Sequence, residues 1–207
     1  ESQSRLWENN VGRSQAFWKD NFPILKDAFP EDCKGLTAQD VFLTNNIIEP
    51  SFIRVQADEL TYHFHVMIRY ELEKRLMDGT LEVKDLKDEW NKMYSQYLGI
   101  EVTSDNQGVL QDVHWSHGLM GYFATYSLGS FYAAQFYRQA SKEIPNLEEK
   151  IASGDLLTLK EWLNKNIHQY GKLYGAEEIC KKVTGEGLDF DYFYEYLSGK
   201  LGKVYGW

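Results

Sequence analysis

The sequence predicts an all-α protein, and three observations support that class. Apolar residues recur at helical spacing along most of the chain, and no run alternates apolar and polar residues as a strand does. Glycines stand where the helical patterns end. The chain has 207 residues, 43% hydrophobic and 15% aromatic, which is enough to bury a sizeable core.

The first third of the chain predicts three helices. Residues 2–27 follow a loose helical period, with Pro23 as an expected kink or break. Thr37 with a carboxylate three residues later is typical of a helix start, and residues 52–55 suit a short extended piece. A long helix is expected from residue 57 to residue 77, ended by Gly79. Its inward stripe would consist of Leu60, Phe64, Met67, Ile68 and Leu72.

The next segment, residues 84–98, is amphipathic and is closed by Gly99. Its inward face would consist of Leu86, Trp90, Met93, Tyr94 and Tyr97. A polar loop over residues 103–108 follows. Further helices are expected at residues 147–152, 156–170, 176–183 and 192–205.

Residues 113–137 contain no Asp, Glu, Lys or Arg, in a chain that is 26% charged. Such a gap predicts a segment surrounded by protein, and its His, Ser, Thr and Gln content is too polar for a membrane span. Small residues recur every four positions, which favours close approach of a second helix. They are Gly121, Thr125, Gly129 and Ala133. Tyr122 and Tyr126 occupy the neighbouring row, so both hydroxyls could point into one space, although ordinary core packing explains the pattern as well.

The net charge argues against two kinds of partner, and the cysteine content indicates the cellular compartment. The net charge of -9 argues against nucleic acid and against an acidic membrane surface, since both need concentrated Lys and Arg. Cys33 and Cys180 lack C-x-x-C spacing, which indicates free thiols in a reducing compartment and hence a cytoplasmic protein.

The histidines give little support for a metal site by spacing alone. His114 and His117 form an H-x-x-H pair that could share a helix face, but no third ligand lies nearby in the sequence. His63 and His65 fall on nearly opposite sides of their helix, so hydrogen-bonded roles are expected for them. The printed sequence contains neither H-E-x-x-H nor G-x-S-x-G.

Arg54 requires an explanation because it lies between Ile53 and Val55. A buried guanidinium needs an anion, and Asp58 in the following helix entrance is one candidate. The other candidate is a substrate carboxylate, which arginine binds with two parallel hydrogen bonds.

Three motifs in order resemble the carboxypeptidase Taq type of zinc metallocarboxypeptidases. Residues 1–5, E-S-Q-S-R, match the family's His-Glu-Ser-Gln-Ser-Arg element without its His. Residues 53–58, I-R-V-Q-A-D, match I-R-x-x-A-D. Residues 121–126, G-Y-F-A-T-Y, match G-Y-x-P-T-Y with Ala124 in place of Pro, and residues 111–116 also look like family sequence. The resemblance covers essentially the whole chain.

The resemblance implies a mostly helical, zincin-like enzyme that releases C-terminal amino acids from peptides. Residues 1–207 would be the C-terminal part of its catalytic domain, and Glu1 would be one zinc ligand beside the two His of H-E-x-x-H; cobalt or manganese could replace the zinc. Arg54 would bind the free C-terminal carboxylate of the peptide, with Arg5 and His114 also contacting substrate. Tyr126, or failing that Tyr122, would donate a hydrogen bond to the developing oxyanion.

The resemblance also predicts what this chain lacks. H-E-x-x-H and the N-terminal portion of the family are absent from residues 1–207, so we expect the isolated chain to be inactive, because a catalytic zinc needs three protein ligands. The missing N-terminal portion is then a partner, and the family suggests a homodimer. The alternative is a non-catalytic helical binding or assembly module that keeps the scaffold.

Overall fold

A computed structural model describes residues 1–207 and confirms the all-α class, with 66% of residues in helices and no strands. The ten α-helices, in chain order, are α1 (Ser2–Arg5), α2 (Gln15–Ala28), α3 (Ala38–Thr44), α4 (Thr61–Met77), α5 (Leu86–Leu98), α6 (Ala124–Glu143), α7 (Leu147–Ile151), α8 (Leu157–Asn166), α9 (Ala176–Thr184) and α10 (Asp191–Tyr205). A π-helical stretch, Leu6–Gly12, follows α1. None of these helices is both long and apolar enough to cross a membrane.

The chain divides into two compact units. The terminal unit contains residues 1–46 and 129–207, and the central unit contains residues 47–128. The core of the terminal unit is built from α6, α7, α8 and α9 together with the π-helical stretch. Its fully buried members include Leu6, Ala140, Ile151, Leu163 and Cys180.

The core of the central unit lies between α4 and α5. Ile68 and Leu72 of α4 pack with Trp90 and Tyr94 of α5, and all four side chains are buried. A smaller cluster at the start of α4 joins Tyr62 to Ala57 and Val66. The first turns of α4 therefore pack on a small apolar cluster.

Several helix ends are as predicted. Thr37 and Asp40 form a capping box at α3, in which each side chain bonds to the backbone of the other residue. Gly99 adopts a left-handed conformation directly after α5. Gly79 has a φ of 70° two residues after α4 ends at Met77. Local sequence therefore specifies these ends without help from distant residues.

Other expectations are wrong in detail. Residues 54–56 form a 3-10 turn instead of an extended piece, and α2 continues through Pro23 without a break. The stripes on α4 and α5 each include one residue that is exposed, Met67 at 44% and Tyr97 at 40%. The entrance of α6 differs most, because the helix begins only at Ala124.

Residues 113–123 are an irregular segment with one 3-10 turn, Trp115–His117. Gly118 and Gly121 both have positive φ, a conformation that glycine adopts without strain, so Gly121 does not belong to the row of small residues on α6. Within the helix, Gly129 and Ala133 are buried while Thr125 is exposed. The predicted row of small residues is therefore buried only from Gly129 onward.

Candidate functional site

Arg54 is bound by a carboxylate that lies 58 residues away in the sequence. Its Nε and Nη2 donate to Oδ1 of Asp112 at 3.1 and 2.6 Å, and its Nη1 donates to the hydroxyl of Tyr62 at 2.9 Å. Asp58, one of the two candidate partners, does not bind Arg54: its carboxylate accepts from the backbone N–H groups of Leu60 and Thr61 at the start of α4. Three of the five guanidinium N–H groups of Arg54 are used, which leaves two for another acceptor.

Asp112 also binds a second arginine, on its other oxygen. Arg69 of α4 donates from Nε to Oδ2 of Asp112 at 2.5 Å, from Nη1 to the carbonyl of His65 at 2.9 Å, and from Nη2 to the hydroxyl of Tyr94 at 3.2 Å. Its guanidinium carbon lies 4.5 Å from the ring centre of Trp90. Arg69 is 0% exposed and Arg54 is 6% exposed. Below, Arg54, Arg69 and Asp112 are called the arginine–aspartate cluster.

The charges of this cluster are mutually stabilised. Burial alone would raise the pKa of Asp112, but the charge of Arg69 and the hydrogen bonds of Arg54 hold that pKa below its ordinary value. Burial would lower the pKa of Arg54, and the hydrogen bond and charge of Asp112 raise it instead. Asp112 and Arg54 are therefore ionised at neutral pH. With the guanidinium charge of Arg69, the three groups carry one net positive charge.

His65 is a buried titratable group whose pKa is lowered beside this cluster. The ring is fully buried, and its Nδ1 lies 3.0 Å from the Tyr94 hydroxyl. Burial, together with the charges of Arg69 and Arg54, lowers the pKa of His65 to about 3. The imidazole is therefore neutral in the folded protein throughout the physiological range.

This shift predicts a pH dependence of stability. Between pH 6.5 and about 3 the unfolded His65 binds a proton that the folded one does not, so the unfolding free energy falls as the pH falls. The contribution is roughly 1.4 kcal/mol per pH unit. We expect His65→Gln to remove this part of the slope in urea unfolding between pH 6 and 4. The exposed His117→Gln is the matched control, and equal slopes in wild type and His65→Gln would contradict the prediction.

His114 and Tyr126 lie beside the cluster and contact each other. The Nε2 of His114 lies 2.8 Å from the Tyr126 hydroxyl, while its buried Nδ1 has no hydrogen-bond partner and lies 3.7 Å from Asp112 Oδ1. The Tyr126 ring centre lies 4.7 Å from the guanidinium carbon of Arg54. Burial first, then the charges of Arg54 and Arg69, lower the pKa of His114. A neutral imidazole has one donor and one acceptor nitrogen, so the Nε2 of His114 can either donate a hydrogen bond to the Tyr126 hydroxyl or accept one from it, depending on the tautomer.

Tyr122 lies on the exposed side of the same group. Its ring centre is 5.4 Å from that of Tyr126 and 5.7 Å from that of His114. The expectation that the two tyrosines share one space holds for their rings, although Tyr122 lies before α6 and not on it. Of the two, Tyr126 has its hydroxyl engaged with a polar side chain.

Glu73 fixes the irregular segment that holds His114. One carboxylate oxygen accepts from the indole N–H of Trp115 at 2.9 Å, and the other accepts from the backbone N–H of Gly121. Glu73 is buried on α4, one turn beyond Arg69. Helix α4 therefore holds this segment near both of its ends. Arg69 binds Asp112 just before the segment, and Glu73 binds the backbone of Gly121 near its end.

The first turn of the chain belongs to the terminal unit and carries Glu1 and Arg5. Arg5 lies 3.5 Å from the Glu1 carboxylate and donates to Glu8 at 3.1 Å. Gly129 of α6 lies directly against Glu1: a Cβ added to Gly129 would come within 2.8 Å of both Cβ and Cγ of Glu1. The backbone of Gly129 therefore approaches Glu1 so closely that the position has no room for a larger side chain.

The family resemblance implies a metal, and the residues of this chain do not form a site for one by themselves. No group of three or more His, Cys, Asp and Glu side chains is arranged to hold a metal ion. His114 contacts Tyr126 and His117 is exposed, and the H-x-x-H pair belongs to no group of three ligand side chains. Glu1 supplies one carboxylate, where a catalytic zinc needs three protein ligands.

Sequence reasoning brought Arg54, His114, Tyr122 and Tyr126 into one candidate site, and the structure places these four in one group. It missed Arg69 and Glu73, and it quoted Asp112 without a role. Arg69 could have been found, because it follows His65 by four residues and precedes Leu72 by three on the buried face of α4. A charged residue in a buried stripe signals a paired charge.

The fold and these motifs define a metallopeptidase scaffold, and comparison with known proteins gives the family. The model of the carboxypeptidase Taq (M32) metallopeptidase family matches residues 1–201, and this chain belongs to that family. It is 42% identical to thermostable carboxypeptidase 1 of Pyrococcus furiosus over 200 residues, which are 97% of this chain and 40% of that protein. It is 40% identical to carboxypeptidase 1 of Bacillus subtilis over 205 residues, which are 99% of this chain and 41% of that protein.

Solved structures agree with the family assignment. The M32 carboxypeptidase from Deinococcus radiodurans R1 superposes with a TM-score of 0.96 at 43% identity, covering 100% of this chain and 42% of that one. Pyrococcus furiosus carboxypeptidase superposes with a TM-score of 0.92 at 41% identity, covering 96% of this chain and 40% of that one. The chain thus spans about two fifths of the length of the relatives it matches.

Proposed function

We propose that this chain is the C-terminal part of a zinc-dependent carboxypeptidase that releases amino acids from the free C-terminus of peptides. The observation that carries the proposal is Arg54: a buried guanidinium that uses three of its five N–H groups on Asp112 and Tyr62, in a cluster with one net positive charge, within a chain of the M32 family. A free C-terminal carboxylate is the anion that such a group binds well.

The other residues around Arg54 suit peptide recognition and charge stabilisation. Tyr126 would donate a hydrogen bond to the oxyanion that develops on the scissile carbonyl, with Tyr122 as the second candidate. His114 would keep the Tyr126 hydroxyl in place and hydrogen-bond to the peptide, and their 2.8 Å contact supports this role. Arg5 would contact substrate from the first turn of the chain.

The metal would be zinc, which cobalt or manganese could replace, with Glu1 as one ligand and the others supplied by the remainder of the enzyme. We expect residues 1–207 alone to be inactive, since they do not hold three ligands together. A cytoplasmic location and a homodimer are further parts of the proposal. They derive from the thiol content of the chain and from the family resemblance respectively.

Hydrolysis of an N-blocked peptide with a free C-terminus tests the proposal. The full-length protein should be active and should lose activity with a chelator, whereas residues 1–207 alone should be inactive with or without zinc. Adding the remainder of the enzyme to residues 1–207 should restore chelator-sensitive hydrolysis. Activity of residues 1–207 alone would contradict the expected division of ligands. An inactive full-length protein would favour a non-catalytic helical binding or assembly module.

A further inference from the structure

The arginine–aspartate cluster contains two cations and one anion. Arg54 occupies Oδ1 of Asp112 and Arg69 occupies Oδ2, so Asp112 cannot neutralise both guanidinium groups. The other groups bound to the two arginines are uncharged: the hydroxyls of Tyr62 and Tyr94 and the carbonyl of His65. One positive charge therefore remains uncompensated among the groups that bind each other directly.

The nearby carboxylates are committed to other partners. Glu73 accepts from Trp115 and from the backbone of Gly121, and Asp58 accepts from the backbone at the start of α4. Neither has a hydrogen bond or ion pair with Arg54 or Arg69. The imidazoles of His65 and His114 add no positive charge at neutral pH. Asp112 is therefore the one anion among the groups that hydrogen-bond to the two arginines directly, and the buried Glu73, one turn beyond Arg69 on α4, acts on the cluster only from outside it.

Arg69 cannot be explained as a residue that touches substrate. It is 0% exposed, and its guanidinium is enclosed by Asp112, Tyr94, the backbone of His65 and the Trp90 ring. A purely structural role would be filled as well by an apolar side chain, because a buried ion pair is often no more stable than a hydrophobic pair of the same volume. A second cation on the other oxygen of Asp112 does, however, raise the net positive charge that an anion meets when it approaches Arg54.

We propose that Arg69 is a positioning residue for carboxylate recognition. By binding Oδ2 of Asp112 it orients the carboxylate that holds Arg54, and it keeps one net positive charge on the cluster. Without Arg69, Asp112 would neutralise Arg54 completely, and the pair would attract a peptide carboxylate far less strongly. This inference rests on the proposed function, in which Arg54 binds the free C-terminus.

The test measures carboxylate preference in the full-length holoenzyme. The probes are N-acetylphenylalanine and its amide, used as competitive inhibitors, and the preference is the inhibition constant of the amide divided by that of the acid. We expect Arg69→Met to lower this preference at least tenfold and to raise KM more than it changes kcat. Arg69→Gln removes the charge but keeps a donor for Asp112, so it should fold and show the same loss. Arg69→Lys, which keeps the charge, should retain most of the preference.

A double variant separates charge from packing. Arg69→Met/Asp112→Asn again has one net positive charge, from Arg54 alone, so its preference should recover to within about threefold of wild type. A structural role predicts instead that the double variant is at least as impaired as Arg69→Met. An unchanged preference in Arg69→Met and Arg69→Gln, or no recovery in the double variant, would overturn the inference. Urea unfolding of each variant controls for folding.

Failure of the underlying proposal has a different signature. Arg54→Gln should abolish the preference for the acid if Arg54 binds the C-terminal carboxylate. If Arg54→Gln keeps the preference, the proposed role of Arg54 is wrong and the inference about Arg69 falls with it. If Arg54→Gln loses the preference while Arg69→Met and Arg69→Gln keep it, only the inference about Arg69 is wrong.

Discussion

Asp112→Asn should destabilise the protein by about 3–5 kcal/mol, the range found when one partner of a buried ion pair is removed. Asp112 is the anion that hydrogen-bonds both Arg54 and Arg69, and both arginines are buried. An amide in its place leaves two like charges without a counterion, and its NH₂ group cannot accept from either guanidinium. The loss exceeds that of an ordinary hydrogen bond because two desolvated cations are left unpaired.

Urea unfolding at pH 7 measures this loss, and Asp105→Asn is the matched control. Asp105 lies in the same unit and pairs with Lys87 on the surface, where both side chains are about half exposed, so its removal should change the unfolding free energy little. Arg69→Met/Asp112→Asn should be more stable than Asp112→Asn alone, because only one unpaired cation remains. Equal, small effects of Asp112→Asn and Asp105→Asn would show that Asp112 is not the counterion of the buried arginines.

The fold was largely predictable because its helix boundaries are encoded locally. Thr37 with Asp40, Gly79 and Gly99 each act within one turn of the backbone that they end or begin. The entrance of α6 was not predictable in this way. In residues 113–123 the hydrogen bonds that Trp115 and Gly121 donate to Glu73 cross more than 40 residues and hold the segment in a non-helical conformation.

Several residues of the candidate site were predictable from the sequence, but the hydrogen-bond partners of those residues were not. The sequence shows that Arg54 needs an anion, since it stands between two apolar residues, but it offered only the nearby Asp58 and a substrate carboxylate as candidates. Asp58 instead accepts hydrogen bonds from backbone N–H groups. Whether Asp58 binds the backbone or Arg54 depends on the geometry of the helix entrance. Arg54 and Arg69 meet at Asp112 through the packing of α4 against the segment that carries Asp112, and no sequence spacing encodes that.

Gly129→Ala should weaken metal binding by the full-length enzyme about 10- to 100-fold, the usual range for residues that support a metal ligand. In most helices this substitution stabilises, by about 0.5–1 kcal/mol. Here the new Cβ would lie within 2.8 Å of Cβ and Cγ of Glu1, closer than such atoms approach, so Glu1 must move. Ligand distances at a metal tolerate about 0.2 Å, which is less than the required displacement. Competition with a fluorescent zinc chelator gives the affinity.

Gly199→Ala in α10 is the matched control, because a Cβ at Gly199 meets nothing within 4 Å. It should leave metal affinity unchanged and raise the unfolding free energy by about 0.5–1 kcal/mol. The two variants distinguish the packing of Glu1 against Gly129 from the role of Glu1 as a metal ligand. If Gly129→Ala stabilises as Gly199→Ala does, Glu1 does not pack against Gly129. If Gly129→Ala lacks that stabilisation but keeps full metal affinity, the contact is real and Glu1 is not a ligand. Only a loss of both supports Gly129 as the residue that sets the position of a metal-binding Glu1.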